Sequence, residues 1–279
     1  MRLRKLYVDL VAADGTACIV YAARLDLAGL RLAPAGIERY DATGRRSVER
    51  GRADIGLDVE PDARSLSTLR LDLPGGTYAL EVAPEQAAFA PALAPPPGLA
   101  WRVKLARARV RLCRIGGGDA VEGTGYADWV ELGRAPRTLG LGSLEWGRLH
   151  LAAGTFIYSD VACANGSRWR PALWWPVAGA PRSIERWSLE AGDGAGARRI
   201  TARDLGATFD MQVVHELHGG DAVDAARFPA RLERALSGAL AGPIRERRWL
   251  SRANSNAFGE GWAVHESVRF GRAAIGGVA

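Results

Sequence analysis

The chain has little cysteine, little lysine and no long apolar run. Its three cysteines, Cys18, Cys113 and Cys163, are far apart and form no CxxC pair. This excludes a disulfide scaffold and a cysteine-based metal or redox motif. No apolar stretch approaches the roughly 18–20 residues that a membrane-spanning helix needs, and the N-terminus does not read as a secretory signal. We therefore expect a cytoplasmic protein.

The positive charge is modest and dispersed. The 279 residues include 37 Lys+Arg and 31 Asp+Glu, which gives a net charge of +6. Only Lys5 and Lys104 are lysines, and the arginines are spread along the chain. A nucleic-acid footprint needs basic residues clustered on one face, so no nucleic-acid partner is expected. The length suits one large domain or two of ordinary size.

Most of the sequence alternates apolar and polar residues with a period of two. Between residues 106 and 112, for example, apolar residues alternate with arginines. This period is typical of half-buried strands, and Gly- and Asp-rich turns separate the runs, so the chain is predicted to be all-β and antiparallel. One segment differs, because Phe228, Leu232, Leu236 and Leu240 recur every four residues. We predict one helix near the C-terminus, at about 226–241.

A weak internal repeat suggests how the chain is divided. Gly123-Thr124-Gly125-Tyr126 and Gly259-Glu260-Gly261-Trp262 share a Gly-x-Gly-aromatic pattern, 136 residues apart. That offset is close to half the chain. We therefore predict two similar β domains in tandem, residues 1–138 and 139–279.

Motifs for common cofactors are missing from the sequence. The Gly-rich stretches do not lead into a helix, and there is no P-loop, no dinucleotide fingerprint and no G-x-S-x-G elbow. His215 and His218 lie in a strand-like run, where their spacing of three would point them to opposite faces. We expect neither a cofactor nor a metal.

The segment 123–160 gathers polar and aromatic residues on shared strand faces. Three such faces are Tyr126 with Asp128; Trp146 with Arg148 and His150; and Phe156 with Tyr158 and Asp160. One interpretation is that three neighbouring strands line a single cavity. The alternative is that these are outward-facing charges of ordinary strands together with core aromatics.

The C-terminal run adds a further candidate. Trp262, Val264, Glu266, Val268 and Phe270 share one strand face. A carboxylate among apolar groups either pairs with an arginine or has its pKa raised by desolvation, so Glu266 is predicted to do one of the two.

These runs together resemble a known family. The stretches 123–128, 146–150 and 156–160, with 6–10, 101–103 and 261–266, resemble the carotenoid hydratase (hydroxyneurosporene synthase) and AttH-like lipocalin-fold superfamily. The resemblance implies two tandem lipocalin-like antiparallel β-barrels or curved sandwiches. It also implies activities such as water addition to isoprenoid double bonds, or pericyclic and cyclisation steps on apolar natural products.

Carried onto this chain, the family pattern puts its essential aspartate at Asp128, with Tyr126 and Trp101 beside it. The chain differs from the hydratase pattern at Leu99 and Ala127, where the family has histidines. The acid is thus kept while two of its expected partners are not.

The resulting hypothesis is a cofactor-independent enzyme that acts on a hydrophobic terpenoid or polyketide-like molecule by acid-assisted hydration, isomerisation or cyclisation. Asp128 would donate the proton, and Trp101, Tyr126 and Trp146 would line the cavity. His150 or Tyr158 would place the water. Peripheral contact with a membrane would give access to an apolar substrate.

Arg148 has two alternative roles in this hypothesis. It either holds an anionic group of the substrate or pairs with Asp128 or Asp160. Two other functions stay open for the whole chain. One is a lipocalin-like carrier that binds an apolar ligand without chemistry, and the other is a structural subunit that uses a surface at Trp169–Trp175.

Overall fold

The computed structural model describes most of the chain. The described residues are 1–27, 29–52, 60–62, 66–67, 69–86, 94–136, 138–221 and 244–271. The predicted helix at 226–241 lies outside the described residues. Among those residues, no helix is both long and apolar enough to cross a membrane.

The first sheet is built from the N-terminal half of the chain. Its strands are β1 (Arg2–Val11), β2 (Ala17–Leu27), β3 (Leu30–Leu32), β4 (Pro34–Tyr40), β5 (Arg46–Arg52), β6 (Leu69–Leu73), β7 (Gly76–Gln86), β8 (Leu99–Arg114) and β9 (Val121–Leu132). All neighbours are antiparallel, in the order β5-β4-β2-β1-β9-β8-β7-β6, and β3 pairs with β2. The end strands β5 and β6 contact each other, so the sheet nearly closes into a barrel.

The second sheet is built from the C-terminal half. Its strands are β10 (Leu141–Leu151), β11 (Gly154–Cys163), β12 (Arg168–Trp169), β13 (Ala172–Pro176), β14 (Arg182–Ser183), β15 (Trp187–Ala191), β16 (Arg198–Ala202), β17 (Ala207–Asp221), β18 (Ile244–Ser255) and β19 (Gly259–Phe270). The order is β14-β13-β11-β10-β19-β18-β17-β16-β15, again antiparallel, with β12 on β11, and the sheet forms a half-barrel. The predicted all-β, two-barrel fold class is confirmed.

The two sheets have the same strand connectivity at their centres. In each, the first strand pairs with the second strand and also with the last one: β1 with β2 and β9, and β10 with β11 and β19. The repeated glycines lie at matching places in the last strands. A Cβ at Gly125 would strike the carbonyl of Asp9, and one at Gly261 would strike that of His150, so both positions need glycine for close approach. The domain boundary at 138/139 stays a prediction; β9 ends before it and β10 begins after it.

Three buried apolar clusters follow from the strand alternation. Along β1, Leu6, Val8 and Leu10 face the interior of the first barrel, while Tyr7 and Val11 face the second sheet. A second interior cluster fills the half-barrel, and the third cluster lies between the two sheets. A ligand site could therefore lie inside either barrel or in the seam, the packed region between the two sheets.

The sheets are also joined by polar contacts across this seam. Gln86 Nε2 donates to the carbonyls of Trp175 and Pro176, at 3.3 and 3.0 Å, and Arg107 Nη1 donates to the carbonyl of Leu151 at 2.9 Å. Trp169, Trp174 and Trp175 are buried by the packing. The alternative of an assembly surface at Trp169–Trp175 loses its basis, because these three rings are buried in the cores.

Candidate active site

A cavity of about 140 Å³ lies between the two sheets. Its walls are mostly aromatic and aliphatic, with a few polar groups: Lys5, Tyr7, Leu99, Trp101, Asp128, Val130, Leu132, Leu141, Leu144, Trp146, Ser159, Val161, Trp169, Glu266 and Phe270. Strands β1, β8 and β9 supply one wall, and β10, β11, β12 and β19 supply the other. A small apolar cavity with a few polar groups is the usual form of a small-molecule site.

Asp128 is the buried acid of this cavity. Its side chain is held by two neutral donors, since Trp101 Nε1 and Tyr126 Oη both donate to Oδ2, at 2.9 and 3.0 Å. Within the described part of the chain, Oδ1 has no hydrogen bond and no cation forms an ion pair with the carboxyl group. Asp128 and Tyr126 were predicted to share a face, and the alternation of β9 places them so.

The pKa of Asp128 is raised from its usual value to about 6. Burial is the main cause, because desolvation penalises the carboxylate. The hydrogen bonds from Trp101 and Tyr126 and the charge of Lys5 favour the carboxylate and limit the rise, whereas the negative charge of Glu266 adds to it. Asp128 is thus poised to exchange a proton near neutral pH.

Aromatic rings surround the acid. Tyr7 packs edge-on against Trp146 with ring centroids 5.5 Å apart, and Trp101 packs edge-on against Trp169 at 5.9 Å. Tyr126 lies 5.4 Å from Trp146. The Tyr7 hydroxyl is buried and has no hydrogen-bond partner among the described residues. The rings offer π-faces to a positive charge, and Tyr7 offers an unused polar atom.

Glu266 stands on the opposite wall and is ion-paired. Arg248 Nε and Nη2 both donate to Oε2, at 3.0 and 2.9 Å, and Arg248 also pairs with Glu246 at 2.5 Å. The Arg248 guanidinium lies over the Tyr7 ring, 5.5 Å from its centroid. Of the two predictions for Glu266, the structure shows the ion pair.

Arg148 and His150 form a separate polar chain. Arg148 Nε donates to Asp9 Oδ1 at 3.0 Å, Nη2 donates to the same oxygen, and Nη1 lies 3.2 Å from His150 Nδ1. Because a guanidinium only donates, Nδ1 accepts, and Nε2–H donates to the carbonyl of Ala106 at 3.0 Å. Burial and the charge of Arg148 hold the pKa of His150 well below its usual value, so the ring is neutral.

These residues line a second cavity between the sheets. It measures about 200 Å³ and is lined by Arg148, His150 and Trp262, among others, but not by Asp128. Of the two alternatives for Arg148, pairing with Asp128 or Asp160 is wrong, because its partner is Asp9. A contact with an anionic group of the substrate stays a prediction. The expectation that His150 places water beside Asp128 is also wrong, because both ring nitrogens are engaged elsewhere.

Tyr158 and Asp160 lie on the other face of β11. Tyr158 packs in the core of the half-barrel, and Asp160 is ion-paired with Arg168 and Arg170 at 2.5 and 3.1 Å. The residues of β11 that face the seam are the alternate ones, such as Ser159 and Ile157, opposite Trp146 and Arg148. The prediction that three strand faces line one cavity is therefore wrong for the third face, that of Tyr158 and Asp160 on β11.

Several residues in and around the site were not predicted from the sequence. Lys5, Tyr7 and Asp9 alternate on the first strand, and Arg248 lies on β18. The available signal was the alternation of Lys5, Tyr7 and Asp9 with Leu6, Val8 and Leu10, which puts an aspartate on the less apolar face of a strand. Arg248 shares a strand face with one partner, Glu246, but its other partner, Glu266, lies on β19, so the local sequence does not show that Arg248 reaches the cavity wall.

Solved structures of similar fold are found at low sequence identity. Over 97% of this chain and 93% of the other, the fold matches an AttH protein of Nitrosomonas europaea, with a TM-score of 0.60 and 13% identity. CghA matches over 98% and 90%, with a TM-score of 0.62 and 14% identity, and has also been solved with Sch210972. Kievitone hydratase from Nectria haematococca matches over 96% and 88%, with a TM-score of 0.54 and 12% identity.

No protein-family model and no curated protein matches the sequence. The similarity therefore lies in the fold, over nearly the whole length of each chain. The resemblance to the AttH-like, lipocalin-fold proteins that the sequence predicted is confirmed at the level of the fold.

Proposed function

We propose that the protein is a cofactor-independent enzyme that uses Asp128 to protonate an apolar small molecule, leading to hydration, isomerisation or cyclisation. The observation that carries the proposal is the state of Asp128: a buried carboxyl group that only neutral donors hold, on the wall of an aromatic cavity. Kievitone hydratase, which shares the fold, supports a hydratase type of reaction, and CghA, which has been solved with Sch210972, supports a small-molecule ligand.

The geometry suits proton transfer to carbon. Trp101 and Tyr126 bind Oδ2, which leaves Oδ1 as the oxygen that can carry the proton. When an apolar molecule fills the cavity and expels water, the neutral acid is favoured further. After the proton moves, the same two donors stabilise the carboxylate that remains.

The carbocation that forms would be stabilised by the surrounding rings. Trp101 and Trp146 line the cavity, and aromatic faces attract positive charge by about 0.5–2 kcal/mol each. The hydroxyl groups of Tyr7 and Ser159 are among the polar atoms that could hold a water molecule beside the cation. Attack by that water gives an alcohol, while loss of a proton gives an isomerised or cyclised alkene.

The test is turnover of a panel of trisubstituted alkenes with terpenoid and polyketide-like bodies, in ¹⁸O-labelled water and in D₂O, followed by mass spectrometry. We expect the wild type to convert at least one member with uptake of label. Asp128→Asn, which keeps the two hydrogen bonds to the side chain, should lower its rate by about 10²- to 10⁴-fold.

Glu122→Gln is the matched control, because it removes an exposed carboxylate from the same strand. Full turnover by Asp128→Asn would refute the acid role. If panel members bind tightly but are recovered unchanged, the protein is a carrier.

A further inference from the structure

The cavity holds a second carboxyl group whose anchoring mirrors that of Asp128. Each carboxyl group receives two hydrogen bonds on one oxygen, Oδ2 in Asp128 and Oε2 in Glu266. Among the residues that the structure describes, neither Oδ1 of Asp128 nor Oε1 of Glu266 has a hydrogen bond. Each residue therefore keeps one oxygen available to a bound molecule.

The donors differ in charge, and this separates the two roles. Trp101 and Tyr126 are neutral, so Asp128 can take up a proton without losing an ion pair. Arg248 is a cation at both of its bonds to Glu266, so Glu266 is held in an ion pair. Pairs of carboxyl groups in such unlike surroundings commonly divide acid and base work between them.

The two groups also come from opposite walls. Asp128 lies beside Tyr7 in the first sheet, and Glu266 lies beside Trp146 in the second. A molecule in the cavity would therefore have the acid on one side and the carboxylate on the other.

We propose that Glu266 is the anionic pole and general base of this cavity, opposite the acid Asp128. This rests on the proposed function for the role of Asp128. In hydration, the O–H bond of Asp128 breaks and the electron pair of the alkene forms the new C–H bond. Water then adds to the cation, and its proton passes to Oε1 of Glu266. Solvent afterwards returns a proton to Asp128 and takes one from Glu266.

In isomerisation, Glu266 would instead take a proton from the carbon next to the cation, and that C–H electron pair would form the new double bond. Either way the proton arrives on one face of the molecule and base chemistry occurs on the other. Hydration should therefore add H and OH to opposite faces.

The test uses two probes of nearly equal shape, choline and 3,3-dimethylbutanol, of which only the first is charged. An anionic pole among aromatic rings should make choline the tighter ligand, and calorimetry gives the ratio of the two dissociation constants. We expect Glu266→Gln to reduce that ratio about tenfold and Glu266→Asp to restore part of it. Lys5→Gln should increase it, because Lys5 is the cation that lines the cavity.

Glu260→Gln is the matched control, since it removes an exposed carboxylate from the same strand, β19, beside the second cavity. An unchanged ratio in Glu266→Gln, or a wild type that does not prefer choline, would overturn the proposal.

The two proposals fail separately. If Glu266→Gln loses the preference for choline while Asp128→Asn keeps full turnover, the anionic pole stands and the acid mechanism fails. If an alkene is converted and only Asp128→Asn is slow, while Glu266→Gln keeps both its rate and its facial selectivity, the general-base role fails and the acid stands.

Discussion

Two aspartates of the seam, Asp9 and Asp128, lie on neighbouring strands and are both almost fully buried, yet their surroundings are opposite. Asp9 is paired with the guanidinium of Arg148, whereas Asp128 is held by an indole and a phenol. The guanidinium of Arg148 compensates the buried charge of Asp9 and holds the two side chains together. Neutral donors satisfy the oxygen but leave the charge uncompensated, so the group remains free to titrate.

The contrast extends to the neighbouring histidine and cavity. His150 completes the Asp9–Arg148 chain as a neutral ring with both nitrogens bonded. Asp128 instead borders a cavity whose walls are largely aromatic and aliphatic. The Asp9–Arg148–His150 end of the seam is therefore fixed by hydrogen bonds and an ion pair, whereas the Asp128 end has an acid that can exchange its proton.

The largest expected effect is on stability, from breaking the Asp9–Arg148 ion pair. Arg148→Met leaves Asp9 charged and buried without a partner, so we expect a loss of about 3–5 kcal/mol in unfolding free energy, measured by urea denaturation. The double variant Asp9→Leu/Arg148→Met should recover most of this loss, because no charge is then left unpaired. A single variant as stable as the wild type would mean that the pair is not a structural anchor.

The second effect concerns Asp128 and pH. Its pKa is about 6 in the folded protein against 3.8 ordinarily, so folding favours the protonated acid. This contribution is fully present below about pH 4 and is lost as pH rises through 6, a change of about 3 kcal/mol. Asp128→Asn does not titrate, so it should gain stability relative to the wild type between pH 4 and 7. Urea unfolding of both proteins across this range checks it, and a constant difference would contradict it.

A smaller effect is expected from removing one of the neutral donors. Tyr126→Phe deletes a hydrogen bond that favours the carboxylate, so the pKa of Asp128 should rise above about 6. The lost bond should also cost about 1 kcal/mol of stability. NMR titration of ¹³C-labelled aspartate carboxyls measures the shift. Tyr158→Phe, in the core of the half-barrel, is the control and should leave the titration unchanged; a fall in the Tyr126→Phe midpoint would contradict the assignment.

The smallest effect is expected at His150. His150→Gln should leave the titration midpoint of Asp128 where it is, because the histidine is neutral and lines the other cavity. The same NMR titration tests this. A clear shift of the Asp128 midpoint in this variant would mean that the two ends of the seam are coupled.

The strand alternation predicted more of the fold than of the site. A period of two indicated antiparallel strands, and the glycine motifs that suggested a repeat lie at equivalent places in the last strand of each sheet. Same-face spacing, together with the family resemblance, brought Asp128, Tyr126 and Trp101 together. Local sequence was sufficient here because Tyr126 and Asp128 lie on one strand and Trp101 on the strand next to it.

Predictions across strands were weaker. Tyr158 and Asp160 share a face with each other, but that face belongs to the interior of the half-barrel. Pairing with Asp128 or Asp160 was one of two alternatives for Arg148, yet its partner is Asp9, 139 residues away along the chain. Periodicity states which residues share a face and does not state which layer that face meets.

By itself, then, the sequence determined the strands, the repeat and an acid flanked by a tyrosine and a tryptophan, since these depend on alternation and on adjacent strands. Tertiary structure decided which buried aspartate received a cation and which received neutral donors. It also decided that Glu266 should face Asp128 across a cavity. The reason is physical: charge compensation in a buried seam depends on contacts between sheets, and those contacts are fixed only when the two barrels pack together.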